Sequence, residues 1–173
     1  MTSSRRNARM LRVDQAGEYG ATRIYAGQLA VMGTRAPHST EIAGMAEQEE
    51  AHRARFDAMI AQRGVRPTLL QPVWSAAGYA LGAATALIGP KAAMACTAAI
   101  ETEIDRHYTA QLKELESDED AELRETIREF RDDEREHRNA AMAAGAERAP
   151  AYPLLFNAIR LGCRVAIRLS ERI

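Results

Sequence analysis

The chain has 173 residues, enough for one domain with a sizeable core and too few for two comfortable ones. Its 23 Lys and Arg residues nearly balance 24 Asp and Glu, leaving a net charge of -1, so no global field favours nucleic acid or a generally acidic partner. Cys96 and Cys163 stand apart without a CxxC spacing, which argues against a disulfide scaffold, a thiolate zinc site or a built-in rubredoxin module and reads as two small buried thiols.

The opening MTSSRRNARMLRVD has no apolar run after its arginines, so the sequence predicts neither secretion nor cleavage and a cytoplasmic setting. Helical periodicity then dominates. A first helix is expected from about Val13 to Met32, stopped by Gly33 and Pro37. The second starts at Ser39 or Thr40 as N-cap and ends before Gly64 and Pro67. Pro72 opens an apolar third helix that Gly89 and Pro90 terminate, and the fourth runs from about Lys91 to Leu115. Ser117, three residues before Asp120, resembles a capping box for a fifth helix that reaches Ala144 and Gly145. After Pro150 and Pro153 a last helix spans Leu154 to Arg172. Two short-looped helical hairpins joined by one long crossover make an all-α, ferritin-like four-helix bundle, with residues 1–173 as a single domain.

The hairpins repeat one another. Glu18, Arg23, Tyr25 and Gln28 recur at the same spacing as Glu101, Arg106, Tyr108 and Gln111, and Glu49, His52 and Arg53 recur as Glu134, His137 and Arg138. A pseudo-twofold axis would bring these acidic positions and histidines to a common centre. All of them share apolar stripes: Ile42, Met45, Glu49, His52, Phe56 and Met59 follow alternating steps of three and four, as do Leu123, Ile127, Phe130, Glu134 and His137.

An unpaired buried carboxylate costs several kcal/mol. Arg23 and Arg106 are the obvious neutralising partners, but each lies five residues after its glutamate, about 140° around the helix, and points elsewhere. Two divalent cations instead balance four carboxylates, and imidazoles complete the coordination. One Glu from each of two helices plus a Glu-x-x-His from each of the other two is a known arrangement of di-iron and di-manganese bundles. The expected ligands are Glu18, Glu49, His52, Glu101, Glu134 and His137, which are also the expected catalytic residues; without thiolate they suit iron or manganese, and iron is the expected metal. Asp133 either holds a ligand histidine by its second ring N–H or is a solvated aspartate. His107 either lines the entrance to the site or sits on the surface, and His38 reads as a loop residue.

These segments also resemble a known family. RVDQAGEYGATRIYAGQ, EEAH, EREH, AIETEIDRHY and GCRVAIRLSER are similar to the demethoxyubiquinone hydroxylases of ubiquinone biosynthesis, over nearly the whole chain. The resemblance implies the same six residues as ligands of two Fe ions. It implies an O2-dependent monooxygenase that hydroxylates the ring of a polyprenyl demethoxyubiquinol. Gln15 stands where many members carry histidine, outside the metal set. No GxGxxG follows a strand, so electrons are expected from an external reductant, the quinol itself or NADH.

A polyprenyl substrate implies a membrane surface. Val73 to Gly89 carries no charge but is only mildly apolar, which favours a helix lying on or dipping into the bilayer over one that crosses it; the alternative is a helix buried by the bundle or by another subunit. Arg160, Arg164, Arg168 and Arg172 recur every four residues beside Leu161, Val165 and Leu169, a basic amphipathic helix suited to anionic headgroups or to docking on the bundle. Peripheral or monotopic attachment at the cytoplasmic face of the cell membrane is expected; a homo-oligomer or a lipid-presenting partner protein stays open. The alternatives are a ferritin-like iron-binding or peroxide-detoxifying protein, a radical-generating reductase subunit and a structural bundle. For the reductase, Tyr25 and Tyr108 lie seven residues from their own glutamates, about 10 Å along the axis.

Overall fold

The computed structural model describes residues 3–116 and 118–173. Six helices carry the fold: α1 (Ser3–Met32), α2 (Ser39–Gln62), α3 (Gln71–Ile88), α4 (Pro90–Glu114), α5 (Ala121–Ala143) and α6 (Tyr152–Ser170). A 3-10 turn at Ala146–Arg148 leads into α6, and no strand occurs among the described residues. This is the expected all-α, ferritin-like bundle. α1 packs on α2 and α4 on α5; α3 lies along α1, and α6 along α4.

The largest departure from expectation is α1, which begins ten residues before Val13. Met10 and Leu11 are buried, and Arg6 and Asn7 bond Asp118, with Asn7 Nδ2 also 3.1 Å from Asp120 Oδ2. Tertiary anchoring therefore extends a helix that its own polar first turns do not announce. The N-cap of α2 is His38, in the left-handed region at φ 68°, one residue before the expected Ser39; its Nδ1 lies 2.6 Å from Glu41 Oε2. Ser117, expected to cap α5, lies outside the described residues, and Asp120 caps that helix by accepting from Leu123 N at 3.1 Å.

Asp120 also accepts from Arg63 Nη2 at 3.1 Å, tying the end of α2 to the start of α5. Burial alone would raise its pKa. The hydrogen bonds from Arg63 and Leu123 N, with the Arg63 charge, outweigh burial and hold the carboxyl below its ordinary 3.8. A depressed carboxylate contributes stability that is present above 3.8 and lost as pH falls below it. Asp120→Ala is therefore expected to cost about 2 kcal/mol in urea denaturation at neutral pH, with the penalty fading in acid.

α3 meets α1 backbone to backbone. A Cβ on Gly82 would fall 1.9 Å from Ile24 O, one on Gly27 2.2 Å from Tyr79 O, and one on Gly78 2.9 Å from Gly20 O. The opposite side of α3 is open, with Val73, Leu87 and Ile88 each more than half exposed. No helix is long and apolar enough to cross a membrane among the described residues.

Two apolar clusters fill the ends of the bundle. One gathers Tyr25, Ile42, Met45, Met94 and the alanines of α4; the other gathers Leu11, Phe56, Met59, Tyr108, Leu123, Ile127 and Phe130. Carboxylates lie between them.

Candidate metal centre

Each of the four long helices sends one glutamate inward: Glu18 from α1, Glu49 from α2, Glu101 from α4 and Glu134 from α5, all with 0% exposure. His52 and His137 join them at 2% and 5%. The six sequence-expected residues thus meet, in two overlapping groups. Glu18, Glu49, His52 and Glu134 form one and Glu49, Glu101, Glu134 and His137 the other, with one donor atom per residue within 4.8 Å of the rest. Glu49 and Glu134 belong to both groups, and each group holds one complete Glu-x-x-His pair.

The histidine tautomers follow from their outer partners. His52 Nε2 meets the carboxylate Asp133 Oδ2 at 3.0 Å, so it donates and leaves the Nδ1 lone pair facing inward. His137 Nε2 meets Gln48 Oε1 at 3.0 Å and donates there, turning Nδ1 inward, where a metal would displace the proton that Glu134 and Glu49 otherwise hold on it. His52 stacks on Phe130 at 3.9 Å between centroids, which fixes its ring plane. Asp133 is therefore the holder of a ligand-type histidine and not a solvated aspartate. Gln48 does the same for the other half and was not expected; its signal is its place, since it precedes Glu49 as Asp133 precedes Glu134.

Nδ1 of His137 stands 3.1 Å from Glu49 Oε1 and 3.3 Å from Glu134 Oε2, yet aligns with neither as a hydrogen bond. Nδ1 of His52, Oε2 of Glu18 and of Glu101, and both oxygens of Glu49 and of Glu134 also lack hydrogen-bond partners. Each such buried group costs about 1–3 kcal/mol unless something satisfies it. No arginine does so: Arg23 lies over the Tyr79 ring at 5.2 Å and the Arg106 side chain is 65% exposed. Convergent oxygens and imidazole nitrogens without thiolate are a donor set that fits divalent metal. Both cysteines are free, and burial pushes each thiol up to about 12.

The remaining oxygens are held by tyrosines, again across the halves. Tyr25 Oη donates to Glu101 Oε1 at 2.7 Å, and Tyr108 Oη donates to Glu18 Oε1. The sequence expectation measured each tyrosine against the glutamate of its own helix, whereas the structure pairs it with the glutamate of the opposite helix.

Burial, and then the charge of Glu49, pushes Glu18 well above the ordinary carboxylate range; burial and Glu134 do the same to Glu101. Burial raises Glu134 and takes Glu49 to about 7. Burial opposes protonation of His137, but Glu134 and Glu49 outweigh it and lift that group to about 11. Folded pKa values raised above their ordinary 4.5 and 6.5 contribute stability that is present at low pH and lost as pH rises through them. Metal-free protein is therefore expected to melt lower at about pH 8 than at about pH 5.5, and the gain in Tm on adding metal to grow over the same interval. Circular dichroism melts at the two pH values check both trends.

A family model described as "Ubiquinone biosynthesis protein COQ7" matches residues 5–170. The chain belongs to this family. A relative from Rhodospirillum rubrum named 3-demethoxyubiquinol 3-hydroxylase is 54% identical over 165 residues, covering 95% of this chain and 77% of the relative. The human protein named NADPH-dependent 3-demethoxyubiquinone 3-hydroxylase, mitochondrial, is 49% identical over 168 residues with the same coverage. Saccharomyces cerevisiae 5-demethoxyubiquinone hydroxylase, mitochondrial, is 44% identical over 180 residues, again with 95% and 77% covered.

In this COQ7-family chain an apolar groove of about 540 Å³ lies between α1, α3, α4 and α6. Gly17 and Ile100, the neighbours of Glu18 and Glu101, line it together with Gly20, Ile24, Leu81 and Ile159. Its few polar side chains include Trp74 and Ser170, which bond each other at 2.9 Å and join α3 to α6. His107 is not among its walls: its Nε2 meets Asp14 Oδ1 at 3.1 Å and Gln111 Nε2 at 2.9 Å, in a polar network between α1 and α4. Gln15, where many family members were expected to carry histidine, is buried and donates to Asp57 Oδ1 at 2.9 Å.

The basic stripe of α6 divides. Arg160 Nε donates to the buried Glu103 Oε1 at 2.6 Å, and Arg164 Nε lies 3.7 Å from the same oxygen, so these two dock α6 on α4. Arg168 and Arg172 stay exposed beside Leu161, Val165 and Leu169.

Proposed function

We propose that this chain, as a single domain spanning residues 1–173, is a di-iron monooxygenase of ubiquinone biosynthesis that hydroxylates the ring of a polyprenyl demethoxyubiquinol with O2. The observation that carries the reading is the buried set of four carboxylates and two imidazoles, with an apolar groove lined by the chain neighbours of Glu18 and Glu101. Glu18, Glu49, His52, Glu101, Glu134 and His137 would hold the iron, Glu49 and Glu134 belonging to both donor groups. Iron bound and reduced there supplies the electrons and open coordination positions that O2 activation requires.

The chain's own residues supply the rest. The groove walls, Ile24, Leu81, Ile100 and Ile159, bind the apolar substrate and exclude water from the reacting ring. Asp133 and Gln48 hold the histidine tautomers, and Tyr25 and Tyr108 keep protons at Oη directed to Glu101 and Glu18, fixing which carboxylate oxygens stay free. One oxygen atom enters the ring and the other leaves as water, with electrons and protons from an external reductant of the nicotinamide class, in line with the printed name of the human relative. The exposed apolar residues of α3 and α6, with Arg168 and Arg172, seat the groove mouth on a membrane surface by peripheral attachment at the cytoplasmic face of the cell membrane.

Iron-loaded protein given demethoxyubiquinol, O2 and reductant is expected to yield the hydroxylated quinol; absence of product defeats the reading. A Cβ on Gly20 meets nothing within 4 Å, so Gly20→Leu is expected to fill the groove. That variant should raise KM for a prenylated substrate by about tenfold or more while iron content is unchanged. Anionic liposomes should carry the protein into the pellet, and full recovery in the supernatant contradicts the membrane assignment.

A further inference from the structure

Two openings of opposite chemistry flank the central helices, and His52 lines the second. The first is the apolar groove. On the other side α2 and α5 stand apart around a crevice of about 540 Å³ walled by Glu122, Glu125, Glu129 and Asp133 from α5, facing Gln48, His52 and Arg55 from α2. The four acids are three or four residues apart and so form one line along α5.

Their charges are not equally compensated. Glu122 accepts from Arg55 at 3.0 Å and from Arg63 at 2.8 Å, and Glu125 accepts from Arg128. Glu129 makes no hydrogen bond or ion pair with any described residue, and Asp133 bonds only His52. Free negative charge therefore grows inward along the line and ends at His52. That side chain is only 3% exposed; its Nε2 takes Asp133, and its partnerless Nδ1 stands 3.4 Å from Glu134 Oε1 and 3.8 Å from Glu18 Oε2.

A hydrated divalent cation sheds water only where oxygen ligands replace it. The groove, with Trp74 and Ser170 engaged with each other, offers few such ligands, whereas the crevice offers carboxylates in sequence. We propose that the α2–α5 crevice is the loading route of the metal centre, in which Glu129 and Asp133, aided by Glu125, capture a hydrated ferrous ion and deliver it past His52 to the glutamates. No bond to carbon and no redox step is involved: carboxylate oxygens exchange for water on an Fe(II) ion. The inference rests on the reading of the six buried residues as a metal centre.

The test is the rate at which metal-free full-length protein takes up Fe(II) under anaerobic conditions, with Co(II) absorption as a second probe. Glu125→Gln/Glu129→Gln alters neither a ligand nor the Asp133–His52 bond. At low salt it is expected to slow loading about tenfold and to lose most of the salt dependence, with the final metal content unchanged. Glu114→Gln/Glu147→Gln, which removes the same charge from exposed sites outside the crevice, should load at the wild-type rate. An unchanged rate in the crevice variant, equal slowing in both variants, or a reduced final content overturns the route. Wild type that takes up no metal defeats the centre itself, an outcome distinct from wild type that fills normally at the variant's rate.

Discussion

Glu134→Leu is expected to weaken metal binding at both positions and abolish turnover while making the metal-free fold more stable. Glu134 is common to both donor groups and is fully buried, so its loss removes an oxygen ligand from each position at once. Metal content should fall from about two ions per chain to less than about one, whereas Glu18→Leu, which touches one group, should leave the other position filled. The stability change has the opposite sign because burial and neighbouring acids already disfavour the charged carboxylate. Removing one of four mutually repelling buried acids relieves that repulsion while Glu49 stays beside His137, and the gain is expected to be about 1 kcal/mol. Metal analysis and urea denaturation of the metal-free variant read the two effects separately. Two irons and full activity in Glu134→Leu show the ligand assignment wrong; a metal-free variant less stable than wild type shows that the glutamate serves the fold.

The second large effect belongs to the α1–α3 contact. Gly82→Ala places a Cβ 1.9 Å from Ile24 O, against backbone that cannot rotate away. The helices must separate, and the destabilisation is expected to reach about 3 kcal/mol or more, at the upper end for overpacking. Gly44→Ala is the matched control: it lies within α2, its added Cβ meets nothing within 4 Å, and it is expected to gain about 0.5–1 kcal/mol from helix propensity. Because α3 and α1 also wall the groove, Gly82→Ala should impair turnover more than metal content. Equal melting temperatures for Gly82→Ala and wild type contradict the close approach.

Much of the centre was legible in the sequence because duplication writes it twice. Glu49 and Glu134 carry the same offset from their histidines and occupy apolar stripes, so the pattern survives without knowledge of how the hairpins pack. What stayed hidden depends on register between helices. Tyr25 finds Glu101, and Tyr108 finds Glu18, only because α1 and α4 face each other in antiparallel register, which spacing along one helix cannot reveal. Gln48 is marked in the sequence only by its place before Glu49, and its bond to His137 depends on how the hairpins pack. The start of α1 is hidden for a related reason: its first turns are polar, and they are held by Asp118 and Asp120 more than a hundred residues along the chain. The arginines of α6 share one periodicity but not one role, since of the four only Arg160 and Arg164 reach the buried Glu103.

The most direct test of the metal centre is anomalous scattering at the iron absorption edge from crystals of the iron-loaded protein. Two peaks are expected, one beside His52 Nδ1 and one beside His137 Nδ1, both flanked by Glu49 and Glu134, with Glu18 completing the first and Glu101 the second. A single peak, or iron bound only outside this cluster while the six side chains keep their positions, contradicts the account.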